Sequence, residues 1–309
     1  MARIFEGINK RIERIKLAYS KALTSIGLRV FTHTKKLKEL AIKKNVSYGK
    51  YRLQKFDVII PKQSNKNTLP VCFYVHGGSW CGGDKYGYTN FCENISKNNY
   101  VVVNINYRLM PKVSIKTCVA DCIKAMQYFK HNYHSILSKE NLFFDINFNN
   151  VFMVGDSAGA HIVSLIAAKK TCEKLKIKMN FSALGLYYGV FNFENISHDP
   201  SPIMIDLDKY WKSVYNNTEK LYKEISSTTY VTKNFTPTFM TSGEIDKLHF
   251  QSEIMANLLK YNKIDLEYLS FKRTRQDARH AFLNAPFLKS AKEAFSALMD
   301  FFEKHNIDK

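Results

Sequence analysis

A chain of 309 residues with 45% hydrophobic content can bury a sizeable core, as one large domain or two small ones. Lys and Arg number 46 against 27 Asp and Glu, a formal charge of +19, but no recognisable nucleic-acid-binding motif accompanies the excess, so it is read as compositional and no nucleic-acid partner is expected. No stretch approaches roughly 18 uninterrupted apolar residues, which argues against a transmembrane span, and the cysteines, none in a Cys-x-x-Cys pair, read as reduced, packed thiols of a cytosolic protein.

Residues 1 to about 45 read as a basic helical leader. Phe5, Ile8, Ile12, Ile15, Tyr19, Leu23, Ile26 and Val30 recur three or four apart and share one helical face, with Arg3, Lys10, Arg14 and Lys21 opposite. Such a helix either packs on its own domain as part of a cap or lies on an anionic membrane surface. The expected location is therefore cytoplasmic, with peripheral contact at the inner face of the membrane as the alternative. Charges interrupt every apolar run, which fits a cleavable signal peptide poorly.

Residues 46–309 alternate strand and helix patterns and are expected to form the main domain. Asp57–Ile60, Val71–Val75 and Val101–Asn106 read as strands, the second apolar on both faces. Tyr86–Lys97 and Ser114–Tyr133 read as helices, the latter leading to a strand that ends before Ser157. Later strands are expected at Ser182–Tyr188, Thr238–Thr241 and Leu266–Phe271, with helices at Phe250–Tyr261 and Phe287–Phe302. This alternation predicts an α/β protein with a mostly parallel central sheet and helices on both faces. From about 190 to 235 an aromatic-rich helical insertion breaks the rhythm, and its Tyr210, Trp211, Tyr215 and Tyr222 either roof a site or pack the insertion onto the sheet.

The most informative stretch is Val151–His161. Apolar β-formers lead to Gly155, and after Gly159 the pattern turns helical, so Ser157 sits at the tip of a strand–turn–helix. Side chains at 155 or 159 would collide with the adjoining strand or helix, which explains the two glycines. The helix start offers unpaired N–H groups and a positive dipole end to an oxygen that becomes negative during acyl transfer. Further donors are expected from His76-Gly-Gly-Ser-Trp80, where bare glycines let main-chain N–H groups approach a substrate. Gly77 and Gly78, with Ala158, are the expected oxyanion hole, and His76 is expected to brace the loop.

A serine nucleophile needs a base, and position selects it. His280 follows the last predicted strand, where a base belongs if the order is serine, acid, histidine, and imidazole as a side-chain type suits proton transfer near neutral pH. His161 and His249 are weaker candidates. The orienting acid is expected at Asp246, three residues past Gly243 at a strand end, with Glu244 and Asp277 as weaker candidates.

Taken together, His76-Gly-Gly-Ser-Trp80 with Gly83-Asp-Lys85, Asn106-Tyr-Arg-Leu-Met-Pro111, Gly155-Asp-Ser-Ala-Gly159, Gly243-Glu-Ile-Asp246 and His280-Ala-Phe282 resemble the α/β-hydrolases of the hormone-sensitive-lipase-like esterase group. They are close also to the kynurenine-formamidase and feruloyl-esterase-like branch that carries His-Gly-Gly-x-Trp. The resemblance covers roughly residues 55–305 and implies an α/β-hydrolase fold, Ser157 as nucleophile with Asp246 and His280, and a helical cap built from the N-terminal helices and the insertion. Ser79 stands where the lipase-like branch has a third glycine, which favours the His-Gly-Gly-x-Trp branch. Trp80 and Trp211 are the expected substrate contacts. Lys272, Arg273, Arg275 and Arg279 crowd the approach to His280, as a solvated basic loop or as a preference for an anionic substrate.

The expected activity is hydrolysis of small carboxylic esters through an acyl-enzyme on Ser157, with no metal or organic cofactor. An amidase or arylformamidase using the same three residues is the alternative. A catalytically silent, membrane-associated binding protein on a hydrolase scaffold is the further one.

Overall fold

Short β-branched and aromatic runs separated by helical patterns become eight strands and seven α-helices among the residues that the structure, a computed structural model, describes: 37–307 except 65, 141, 143 and 215–216. The leader helix read at Phe5–Val30 and the insertion's Tyr215 lie outside them. The strands are β1 (Leu40–Ser47), β2 (Lys55–Pro61), β3 (Thr68–Val75), β4 (Val101–Ile105), β5 (Asp145–Asp156), β6 (Phe181–Tyr187), β7 (Thr238–Gly243) and β8 (Leu266–Phe271). They form one sheet in the order β1-β2-β4-β3-β5-β6-β7-β8. From β4 to β8 every pairing is parallel, and β1 and β2 close one edge antiparallel.

Both faces are covered, as the apolar strands require. Along β5, Val151 and Met153 face a core shared with α2 (Ile115–Ser138), α3 (Ala158–Thr171) and α6 (His249–Tyr261). Their neighbours Phe152 and Val154 face the opposite core, built with α1 (Thr89–Ser96) and α7 (Lys289–His305). This is the period of two that a strand imposes on its side chains. Every residue of α3 from Ala158 to Ala168 is buried, because that helix lies between the sheet and the insertion. The insertion carries α4 (Pro202–Val214) and α5 (Thr218–Ile225).

One strand departs from the sequence reading. The basic leader expected over residues 1 to about 45 overlaps β1, Leu40–Ser47, so that boundary falls inside the sheet. The charges of Lys43 and Lys44 and a bulge between Lys43 and Val46, with Asn45 at φ 59°, hide the strand's alternation. Charge and bulging are common on an edge strand, where they discourage pairing with other chains.

The parallel strands aim their C-terminal ends at one rim of the sheet, and the His76 loop, Ser157, Asp246 and the His280 loop all leave from that rim. Among the described residues no helix is long and apolar enough to cross a membrane.

Candidate active site

The turn between β5 and α3 holds Ser157 at φ 51° and ψ −119°, a conformation that L-residues rarely adopt and that costs about 1–3 kcal/mol. Close packing makes the turn possible. A Cβ on Gly155 would lie 2.5 Å from the Gly159 backbone, and one on Gly159 would lie 2.0 Å from the Val75 carbonyl oxygen. The Ser157 N–H is anchored to the Tyr187 carbonyl at 2.9 Å, which leaves the hydroxyl at the rim.

Three separated residues meet there. His280 Nε2 lies 3.1 Å from Ser157 Oγ, and its Nδ1 lies 2.8 Å from Asp246 Oδ2. Asp246 has a fully buried side chain, and its other oxygen accepts the Leu248 N–H at 2.8 Å. A carboxylate fixed at both oxygens holds the imidazole with Nδ1–H donating to it and Nε2 turned to the hydroxyl, the arrangement that proton transfer from serine needs. The Tyr188 ring stands edge-on to the imidazole at 5.0 Å and backs it.

The other histidines and carboxylates have different partners. His161 is buried between Trp80, whose indole N–H donates to its Nδ1 at 3.0 Å, and the Ile225 carbonyl, which accepts from its Nε2 at 2.7 Å. His249 Nδ1 meets the Ser242 hydroxyl at 2.9 Å. His76 donates from Nδ1 to the Gly77 carbonyl at 2.7 Å and stacks on Tyr107, so it braces its loop. Glu244 pairs with Lys272 at 3.1 Å, and Asp277 holds Arg275 and caps the start of α7 through the Ser290 N–H. Of the basic loop, Lys272 and Arg275 are thus matched by carboxylates, while the exposed Arg279 donates to Gln276 Oε1 at 3.2 Å.

The His76–Trp80 loop corrects the expectation at Gly77. Its N–H donates to Asp156 Oδ1 at 2.7 Å and is not available to a substrate. Among the described residues the N–H groups of Gly78, Ser79 and Ala158 meet no acceptor, so Ser79 replaces Gly77 among the candidate donors. Positive φ values at Gly78, Ser79 and Trp80 turn the main chain here. Gly83-Asp-Lys85 and Asn106 supply the loop's far support: Asn106 donates to Asp84 at 2.7 Å and accepts the Lys85 N–H at 2.6 Å, and Lys85 is buried against Asp57 at 2.7 Å.

Trp80 and Trp211 are not placed as substrate contacts. They are 2% and 1% exposed and pack against each other at 5.9 Å, with Phe193 between and Tyr222 behind. They fasten the His76–Trp80 loop to the insertion, and His161 completes the joint. The insertion's buried aromatics, Trp211 and Tyr222, thus pack inward.

That joint has a pH limit. Burial lowers the His161 pKa from 6.5 to about 4, so its neutral form stabilises the fold fully above pH 6.5 and that contribution is lost as pH falls through 4. Burial acts the opposite way on Asp156, raised to about 6, whose contribution is full below its unfolded value and lost as pH rises through 6. A His161→Gln variant isolates the first effect. Between pH 7.5 and pH 5, urea unfolding is expected to show wild type losing about 2 kcal/mol relative to that variant. A pH-independent difference would place the imidazole's titration elsewhere.

Comparisons with known proteins agree with this architecture. The BD-FAE family model matches residues 56–259. The putative alpha/beta hydrolase R526 of Acanthamoeba polyphaga mimivirus is 25% identical over 210 residues, covering 65% of this chain and 58% of that protein. The arylacetamide deacetylase of Bos taurus is 25% identical over 186 residues, covering 56% and 45% respectively. The chain thus spans about half the length of these curated relatives. The crystal structure of Esterase B from Lactobacillus Rhamnosis (HN001) superposes with a TM-score of 0.84 at 17% identity over 96% of each chain, a likeness of fold.

Proposed function

The chain belongs to the BD-FAE family of α/β-hydrolases, and on that premise we propose that it is a serine hydrolase of small carboxylic esters working through an acyl-enzyme on Ser157. The observation that carries the proposal is the unbroken row from Ser157 Oγ through His280 to Asp246, at 3.1 and 2.8 Å. Fold neighbours titled esterases and a relative titled arylacetamide deacetylase support acyl transfer as the reaction class.

In this reading Ser157 Oγ bonds to the ester carbonyl carbon as its proton passes to His280 Nε2. The carbonyl oxygen takes the negative charge and is met by the N–H groups of Gly78, Ser79 and Ala158. Asp246 stabilises the imidazolium, which gives its proton to the departing alkoxide. Water then repeats the sequence on the acyl-enzyme, releasing the acid and restoring the hydroxyl. The chemistry needs a proton carrier and an anion site, both supplied by the chain.

The arylacetamide deacetylase likeness favours an aryl amide as the second reading. A phenoxide leaves readily, whereas an anilide nitrogen must first be protonated, so a short-chain aryl ester is expected to exceed an N-formyl aromatic amide at least tenfold in kcat/KM. The reverse order would transfer the assignment to the amidase. A fluorophosphonate probe is expected to label Ser157, and failure to label would return the chain to a silent scaffold.

A further inference from the structure

Asp156 stands beside the nucleophile and takes no part in the steps above. It is 2% exposed, and burying a carboxylate is unfavourable unless donors compensate. Three do. Oδ1 accepts the Gly77 N–H at 2.7 Å and the Tyr74 hydroxyl at 2.8 Å, and Oδ2 accepts the Tyr88 hydroxyl at 3.2 Å.

The three donors come from one piece of chain. Tyr74 lies on β3 just before the oxyanion loop, Gly77 lies within it, and Tyr88 lies in the turn that leaves it. One carboxylate on the nucleophile's own turn therefore grips the loop at its entrance, its middle and its exit. The fit is tight, since a Cβ on Gly77 would lie 2.6 Å from Asp156 Oδ2. Engaging the Gly77 N–H fixes that peptide plane, and among the described residues the Gly78 and Ser79 N–H groups that follow it meet no acceptor.

We propose that Asp156 is the positioning residue of the oxyanion loop, clamping Tyr74, Gly77 and Tyr88 so that the N–H groups of Gly78 and Ser79 converge with that of Ala158. The proposal rests on the reading of Ser157 as nucleophile. Burial raises the carboxyl to about 6 against the pull of Tyr74, Gly77, Tyr88 and the nearby His280, so it is charged at pH 8. Tyr188 is a further titratable group close to it.

The test compares wild type with Asp156→Asn on a short-chain p-nitrophenyl ester across pH 5 to 9. An amide keeps the shape but loses the charge that draws three donors together. The expected result is a kcat at least tenfold lower with KM within twofold, and a fluorophosphonate labelling rate reduced by a similar factor. A kcat within twofold of wild type overturns the clamp. So does a loss of kcat matched by lost circular dichroism, unless the Tyr74→Phe, Tyr88→Phe double variant, which removes two donors and leaves residues 76–80 unchanged, folds and shows the same split. A wild type that takes no label removes the Ser157 reading and the clamp with it. A labelled wild type whose Asn variant keeps its kcat removes the clamp alone.

Discussion

Replacing Ser157 by Ala is expected to lower kcat on a p-nitrophenyl ester by about 10⁴- to 10⁶-fold and to leave the fold intact. The magnitude follows from the role: without the hydroxyl no acyl-enzyme forms, and what remains is the anion site acting on water. The fold survives because alanine has the same Cβ as serine and meets the same strain at φ 51°, so only the bond to His280 is lost. A thermal midpoint within about 2 °C of wild type fits a change below 1 kcal/mol. His280→Ala is expected to cost nearly as much, and the double variant little more than either, because residues that act as one unit are not additive. Turnover within a hundredfold of wild type in Ser157→Ala would remove the mechanism.

Gly159→Ala is the second large effect, and it reaches both stability and rate. The new Cβ would lie 2.0 Å from the Val75 carbonyl oxygen and 2.8 Å from the His76 carbonyl, and neither backbone atom can rotate away. Either the end of β3 or the start of α3 must shift, carrying the His76–Trp80 loop or Ser157 with it. The expected cost is about 3 kcal/mol or more in urea unfolding, with a fall in kcat on the order of 10² from misplacement alone. Gly185→Ala is the control. There the added Cβ meets the Leu298 Cδ1 at 2.6 Å, the end of a side chain that can turn aside, and activity is expected to stay within twofold. Equal behaviour of the two variants would show that backbone contact at residue 159 is not what matters.

Much of this was readable in one dimension because the informative residues punctuate the chain. Gly155 and Gly159 bracket Ser157, Gly243 precedes Asp246, and His280 follows the last strand run, so the pattern of residues alone places each motif at a strand end. Strands β2 to β8 were likewise legible as apolar runs. β1 was not, since Lys43, Lys44 and the bulge at Asn45 break the alternation by which a strand is recognised.

By itself, the sequence determined the α/β class and the three side chains of the Ser157–His280–Asp246 row, because periodicity and turn chemistry are local properties. Only the tertiary structure decided which loop amides are free, where the tryptophans face and which histidine is sealed in. The Gly77 N–H is taken by a carboxylate 79 residues away, and Trp80 is turned inward by a histidine 81 residues away. Hydrogen-bond competition of that kind depends on distance in space, and no spacing along the chain encodes it.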